Sequence, residues 1–190
     1  MKGKFLIKER DRGMKEIFKR VREMHGNIQV AVGIRGESAY DKVASLQEGG
    51  IYVAPDALNL VDIATIHEYG TESKGGYIPE RSFIRATVED NRTRYEDFLY
   101  RMAGQILDPK KKLDPKKALA LLGELVKLDI QRRIRKGIAP KLSDRTIAAR
   151  VKAGNTSTIP LIVTGQLIGA ISYDVREGEK NGAKTRKKSN

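Results

Sequence analysis

Two spacings of apolar side chains alternate along this chain. In residues 9–24, Met14, Ile17, Phe18, Val21 and Met24 recur at helical spacing while Lys15, Lys19, Arg20 and Arg22 fall elsewhere, which predicts an amphipathic helix ended by Gly26. The period then drops to two. Ile28, Val30, Val32 and Ile34 alternate with Gln29, Ala31 and Gly33, as in a half-buried strand. Residues 36–50 follow neither period and read as a long exposed loop or hairpin tip, with 51–53 as a returning strand. Leu60, Ile63, Ala64 and Ile66 predict a short helix over 60–69, stopped by Gly70 at its C′ position. A polar loop with Gly75 and Gly76 leads to Pro79. From Ser82, the series Ile84, Val88, Tyr95, Phe98, Met102 and Ile106 predicts one long helix reaching about Leu107.

Asp114 followed by Pro115 is a helix start, and Leu119, Leu122, Val126, Ile130 and Ile134 form the buried stripe of a helix that Gly137 ends. Its outer face is basic. Ser143 caps a further helix through Lys152, with Ile147 and Val151 inward, and residues 154–157 are turn-like. Ile171, Tyr173 and Val175 alternate with Ser172, Asp174 and Arg176 in a last strand. Beyond Glu177 apolar residues all but stop, so residues 179–190 are expected to be a disordered basic tail that buries too little surface to offset its ordering entropy. The pattern predicts an α+β fold: a small, mostly antiparallel sheet packed with several helices, one of them long. Its organisation is an N-terminal helical arm over 1–26, one α+β domain over 27–178 and the tail. There is no internal repeat.

Composition narrows the chemistry. The 190 residues contain no Cys, which removes disulfides, thiolate metal sites and thiol nucleophiles together. The run Phe5, Leu6, Ile7 is too short for a secretory leader, and no stretch approaches the ~20 apolar residues of a membrane span, so a soluble chain with no membrane partner is expected. Charge matters more. The formal net charge is +13, and it is unevenly placed: residues 1–22, 108–152 and 177–190 are strongly basic, whereas residues 23–107 hold more Asp and Glu than Lys and Arg. Such polarity suits a polyanion, or docking of one copy's basic surface on the next copy's acidic one, and equally a solvated surface.

No catalytic or cofactor site emerges from the motifs. His67 and Glu68 open like a zinc-protease HExxH, but position 71 is Thr71 and the other imidazole, His25, stands alone, so no metal is expected. The glycines of residues 178–185 match a phosphate loop only loosely. No nucleophile-elbow or Ser-His-Asp pattern is present. Lys110, Lys111, Lys112, Lys116 and Lys117 bracket Pro109 and Pro115 between two helices, a natural place for nonspecific phosphate contacts. With aromatic residues at 6% of the chain, no base-stacking platform accompanies them. A solvated linker or protein-facing patch is the competing assignment.

Two stretches carry a resemblance. Residues 61–91, VDIATIHEYGTESKGGYIPERSFIRATVEDN, resemble the segment of phage tail-completion and virion-morphogenesis proteins in which a helix ending HE-aromatic-Gly precedes a variable loop and an IPxRxF lead-in to a long helix. Residues 141–175, KLSDRTIAARVKAGNTSTIPLIVTGQLIGAISYDV, are similar to the same family's second signature, a "pLsxxTixxK" helix before a "PLxxTGxLxxSI" turn and closing strand. Both stand in the family's order. They depart from it at Ser82, where Pro is frequent, and at Val163, where Asp is frequent.

The resemblance implies a small α+β virion protein of the phage neck. It implies a ring of identical copies, expected to be a hexamer, that joins the head connector or adaptor to the tail terminator or tail tube protein and completes the tail. It further implies no catalysis and no cofactor. Packaged DNA passing through the lumen would be a nonspecific partner, and the protein would reside in host cytoplasm before assembly. His67, Glu68, Tyr69, Glu72, Arg81 and Phe83 become interface candidates, with Arg81 and Phe83 as an anchor and Phe83 alternatively a core residue. On the basic helix the candidates are Arg132, Arg133, Arg135 and Lys136. Thr164 and Gly165 are expected at a helix cap and tight turn. The alternative function is that of a nonspecific DNA-binding accessory protein, motivated by the net charge.

Overall fold

A computed structural model describes residues 14–24, 28–43, 45–47, 50–52, 57–73, 76–108, 110–111 and 113–177. In chain order the elements are α1 (Met14–Met24), β1 (Ile28–Ile34), a 3-10 turn (Glu37–Tyr40), β2 (Ser45–Gln47), β3 (Gly50–Tyr52) and α2 (Leu60–Tyr69). There follow β4 (Thr71–Ser73), β5 (Gly76–Ile78), α3 (Arg85–Asp90), α4 (Arg92–Leu107), α5 (Pro115–Lys136), α6 (Asp144–Lys152), α7 (Gln166–Gly169) and β6 (Ile171–Glu177). The fold is α+β, with small antiparallel pairs packed among helices and one long helix, α5.

The strand alternation read near each end of the domain has one outcome: β1 and β6 pair antiparallel, from Ile28 opposite Glu177 to Ile34 opposite Ile171. The first and last strands of the described residues are thus neighbours. Against this ribbon lies α5, whose Leu122, Val126, Ile130 and Ile134 are buried together with Ile171. At Gly123 helix and ribbon touch closely, since a Cβ there would fall 2.6 Å from the Tyr173 ring and 2.9 Å from Val30. Asp114 caps α5 as expected: its side chain accepts from Lys116 N–H, with Pro115 in the first turn. Gly137 ends it at φ 86°.

The single long helix expected after Ser82 is divided. At Asn91 the backbone takes φ −109° and ψ 10°, its N–H is shared between the carbonyls of Glu89 and Thr87, and α4 starts afresh. Asn91 Nδ2 also donates to Thr87 O at 2.9 Å, the competition with helical hydrogen bonding that makes Asn a boundary residue. Tyr95 and Ile106 of α4 are buried beside α5. In the polar loop expected after Gly70, β4 pairs antiparallel with β5, and β2 pairs likewise with β3, which overlaps the returning strand expected over 51–53. Helix α1 packs on α4 yet leaves Phe18 57% exposed. The start of its predicted span, the Gly26 stop and the tail over 179–190 lie outside the described residues. Among those described, no helix is long and apolar enough to cross a membrane.

Candidate functional site

The end of α2 is held by its own return. Gly70 takes φ 71°, and a Cβ there would stand 2.8 Å from Glu80 N and 3.0 Å from Ile78 O, so only glycine fits. The chain passes through β4–β5 and comes back across α2, where Arg81 N–H donates to His67 O at 2.7 Å. That contact sets residues 82–85 over Glu68. The buried Glu68 carboxylate accepts from Ser82 Oγ at 2.6 Å and from the N–H groups of Phe83, Ile84 and Arg85 at 2.9, 3.0 and 2.8 Å. These are donors left without helical partners at the start of α3, so a carboxylate from another helix caps it and meets the favourable end of its dipole. Glu68 is spent inside its own chain.

Arg81 and Arg150 hold the second signature in place. Arg81, also buried, donates from Nε to Pro140 O at 2.9 Å and from Nη2 to Lys141 O at 3.4 Å. Arg150 Nη1, on α6, points at three carbonyls, those of Ser157, Ile159 and Ile162, at 3.1, 3.0 and 3.0 Å. Within that wrapped loop the buried Leu161 has φ 67°, a conformation a branched side chain rarely takes unless its surroundings impose it. Thr164 and Gly165 behave as expected: Gly165 is the left-handed N-cap of α7, and Thr164 Oγ1 donates to Gln166 Oε1 at 2.9 Å.

Between α2, α6 and α7 these groups enclose a cavity of about 370 Å³. Leu60, Ile63, Leu142, Pro160 and Leu167 supply apolar wall; His67, Arg81, Thr146, Arg150 and Gln166 supply its polar part. His67 Nδ1 is buried with no hydrogen-bond partner among the described residues. Burial first, then the positive charges of Arg81 and Arg150, push the His67 pKa down to about 4. Burial also lowers both arginines, and Arg81 adds to the effect on Arg150. No three His, Asp or Glu side chains among the described residues are grouped to hold a metal.

The other residues singled out from sequence separate into different surroundings. Phe83 is 0% exposed and belongs to the core, the alternative weighed for it against an anchoring role between copies. Tyr69 is 62% exposed and lies under the Arg85 guanidinium, 5.1 Å from ring centre, while Glu72 is exposed. Arg132 pairs with Asp129 at 2.7 Å and Arg133 with Asp90 at 2.5 Å, so these two candidates for contact with another copy are already paired within their own chain. Arg135 and Lys136 are exposed at the end of α5. Lys110, Lys111, Lys116 and Lys117 are exposed around the turn before α5; Lys112 lies outside the described residues.

Two participants went unremarked in the sequence. Arg150 lies inside the second signature but was given no role there. Asp129 falls beside the apolar stripe of α5, where it is buried and takes hydrogen bonds from Tyr95 Oη at 3.0 Å and Arg94 at 2.8 Å. Burial, then that hydrogen bond, raises the Tyr95 pKa. Comparison with family models, curated proteins and solved structures found no match.

Proposed function

We propose that this chain is a structural protein of the phage neck, forming a closed ring of identical copies, six by expectation, that joins the head connector to the tail and completes the tail. The reading rests on the two signatures in residues 61–91 and 141–175. One observation carries it furthest: these distant stretches mate. Arg81 of the first binds the carbonyls of Pro140 and Lys141 just before and within the second, and His67 and Arg81 share one cavity with Arg150. A fold built around both signatures requires such contact between them.

Surfaces suited to assembly accompany this unit. Arg135 and Lys136 are exposed at one place, Glu72 at another, and Phe18 of α1 offers apolar area. In a ring every copy presents both charges, so head-to-tail contact brings opposite signs together. A second reading, a nonspecific DNA-binding accessory protein, is favoured by the exposed Lys110, Lys111, Lys116 and Lys117. Sedimentation of the purified full chain at moderate salt, alone and with duplex DNA, separates the two. A discrete oligomer without DNA supports the neck reading. A monomer that sediments only as a DNA complex, dissolved by added salt, supports the other and contradicts the ring.

A further inference from the structure

We propose that the cavity between α2, α6 and α7 is a binding site for a carboxylate carried on a short apolar body, an assignment independent of the neck reading. The cations facing it have no anionic counterpart. Arg81 and Arg150 engage carbonyl oxygens only, and no Asp or Glu lines the cavity among the described residues. Carbonyls orient a guanidinium without cancelling its charge.

Donors remain as well. Every hydrogen bond described for Arg150 leaves through Nη1, so Nε and Nη2 are uncommitted among the described residues, and Arg81 Nη1 is likewise unused. The planar guanidinium fork matches a carboxylate. Phosphate fits less well, because a dianion with more oxygens would press several of them against Leu60, Ile63, Leu142 and Leu167. The same walls invite an alkyl or branched body. At about 370 Å³ the space falls within the range of small-molecule pockets. Leu161, in the loop wrapped on Arg150, adds to that apolar wall.

The test uses the full chain with octanoate, octanol and acetate, followed by thermal shift and by the proton signals of the imidazoles. With two histidines in the chain, His67 is assignable by substitution. Octanoate is expected to raise the melting temperature and move the His67 signals, with octanol and acetate each about tenfold weaker or more. Val163→Trp, at the exposed rim, should fill the cavity, leave the chain folded and weaken octanoate at least about tenfold. Arg150→Met should remove the preference for acid over alcohol, and where it fails to fold, Val163→Trp decides. A Gly-Gly-Leu peptide with a free carboxylate, compared with its amide, identifies the source. If the acid peptide outbinds octanoate, the ligand is a polypeptide end; if octanoate is tighter, it is a free carboxylic acid. Equal binding of octanol or acetate, or unchanged binding in a folded Val163→Trp chain, would overturn the proposal.

Discussion

At the end of α2, Glu68 faces three backbone N–H groups and a hydroxyl, and no substitute side chain satisfies all four. Glu68→Ala would leave those donors, one of them fully buried, without an acceptor. A loss of about 3 kcal/mol or more is expected in urea unfolding, and Glu68→Gln should lose less because one acceptor oxygen survives. Sequence located His67 and Glu68 at a helix end, but not this role, because the carboxylate acts on residues that reach it only after β4 and β5. The neighbouring imidazole gives a pH signature. Unfolded, His67 titrates near 6.5; folded, near 4. The unfolded chain therefore binds the proton more readily, and stability is fully present above about 6.5 and falls as pH drops toward 4. The ceiling is about 3 kcal/mol, reduced by the partial solvent access of the ring. Unfolding measured from pH 7 to 4 should carry this loss, and His67→Phe should flatten it.

Among the elements, periodicity was legible where it ran long enough to count. β1, β6, α2 and α5, with the cap Asp114, follow from the spacing of apolar residues and the chemistry of the residue before each helix, whereas α6 follows from its Ser143 cap alone, since Val151, expected inward, is 56% exposed. Of the three-residue strands, β3 overlaps the returning strand expected over 51–53, but β2, β4 and β5 were not foreseen, since so short a segment has no period of its own. The break at Asn91 was hidden for a different reason: the apolar steps continue at multiples of three and four through it, while the side-chain amide that interrupts the helix adds no hydrophobic signal. Gly123 carries the clearest test of packing at this scale. In a solvated helix, glycine to alanine gains up to about 1 kcal/mol. Here the added methyl would meet the Tyr173 ring and Val30 well inside contact distance. Gly123→Ala should therefore destabilise by about 1–3 kcal/mol, and thermal unfolding beside Tyr173→Leu, which makes room, checks the cause.

For the whole molecule, charge and assembly come together. Arg132 and Arg133 are tied to Asp129 and Asp90 of their own chain, so reversing them would disturb the fold as well as any contact between copies. Arg135 and Lys136 are better probes. Replacing both with Glu should weaken self-association, and Glu72→Lys in the same chain should partly restore it. Exposed ion pairs contribute about 1 kcal/mol at most, so apolar area such as Phe18 must provide most of the affinity while charge selects orientation. Equilibrium sedimentation of the three variants at low salt measures this, and an unchanged association constant would assign the basic end elsewhere. The α+β class was legible from pattern alone; the neck reading came from two ordered motifs, because a fold of this kind carries no chemistry that names a task. Its most direct test is electron cryomicroscopy of tailed particles purified from a lysate of cells carrying the gene, with the neck resolved to side chains. The account predicts a closed ring of this chain, six copies around the axis, between head connector and tail. A fully traced neck composed of other chains would contradict it.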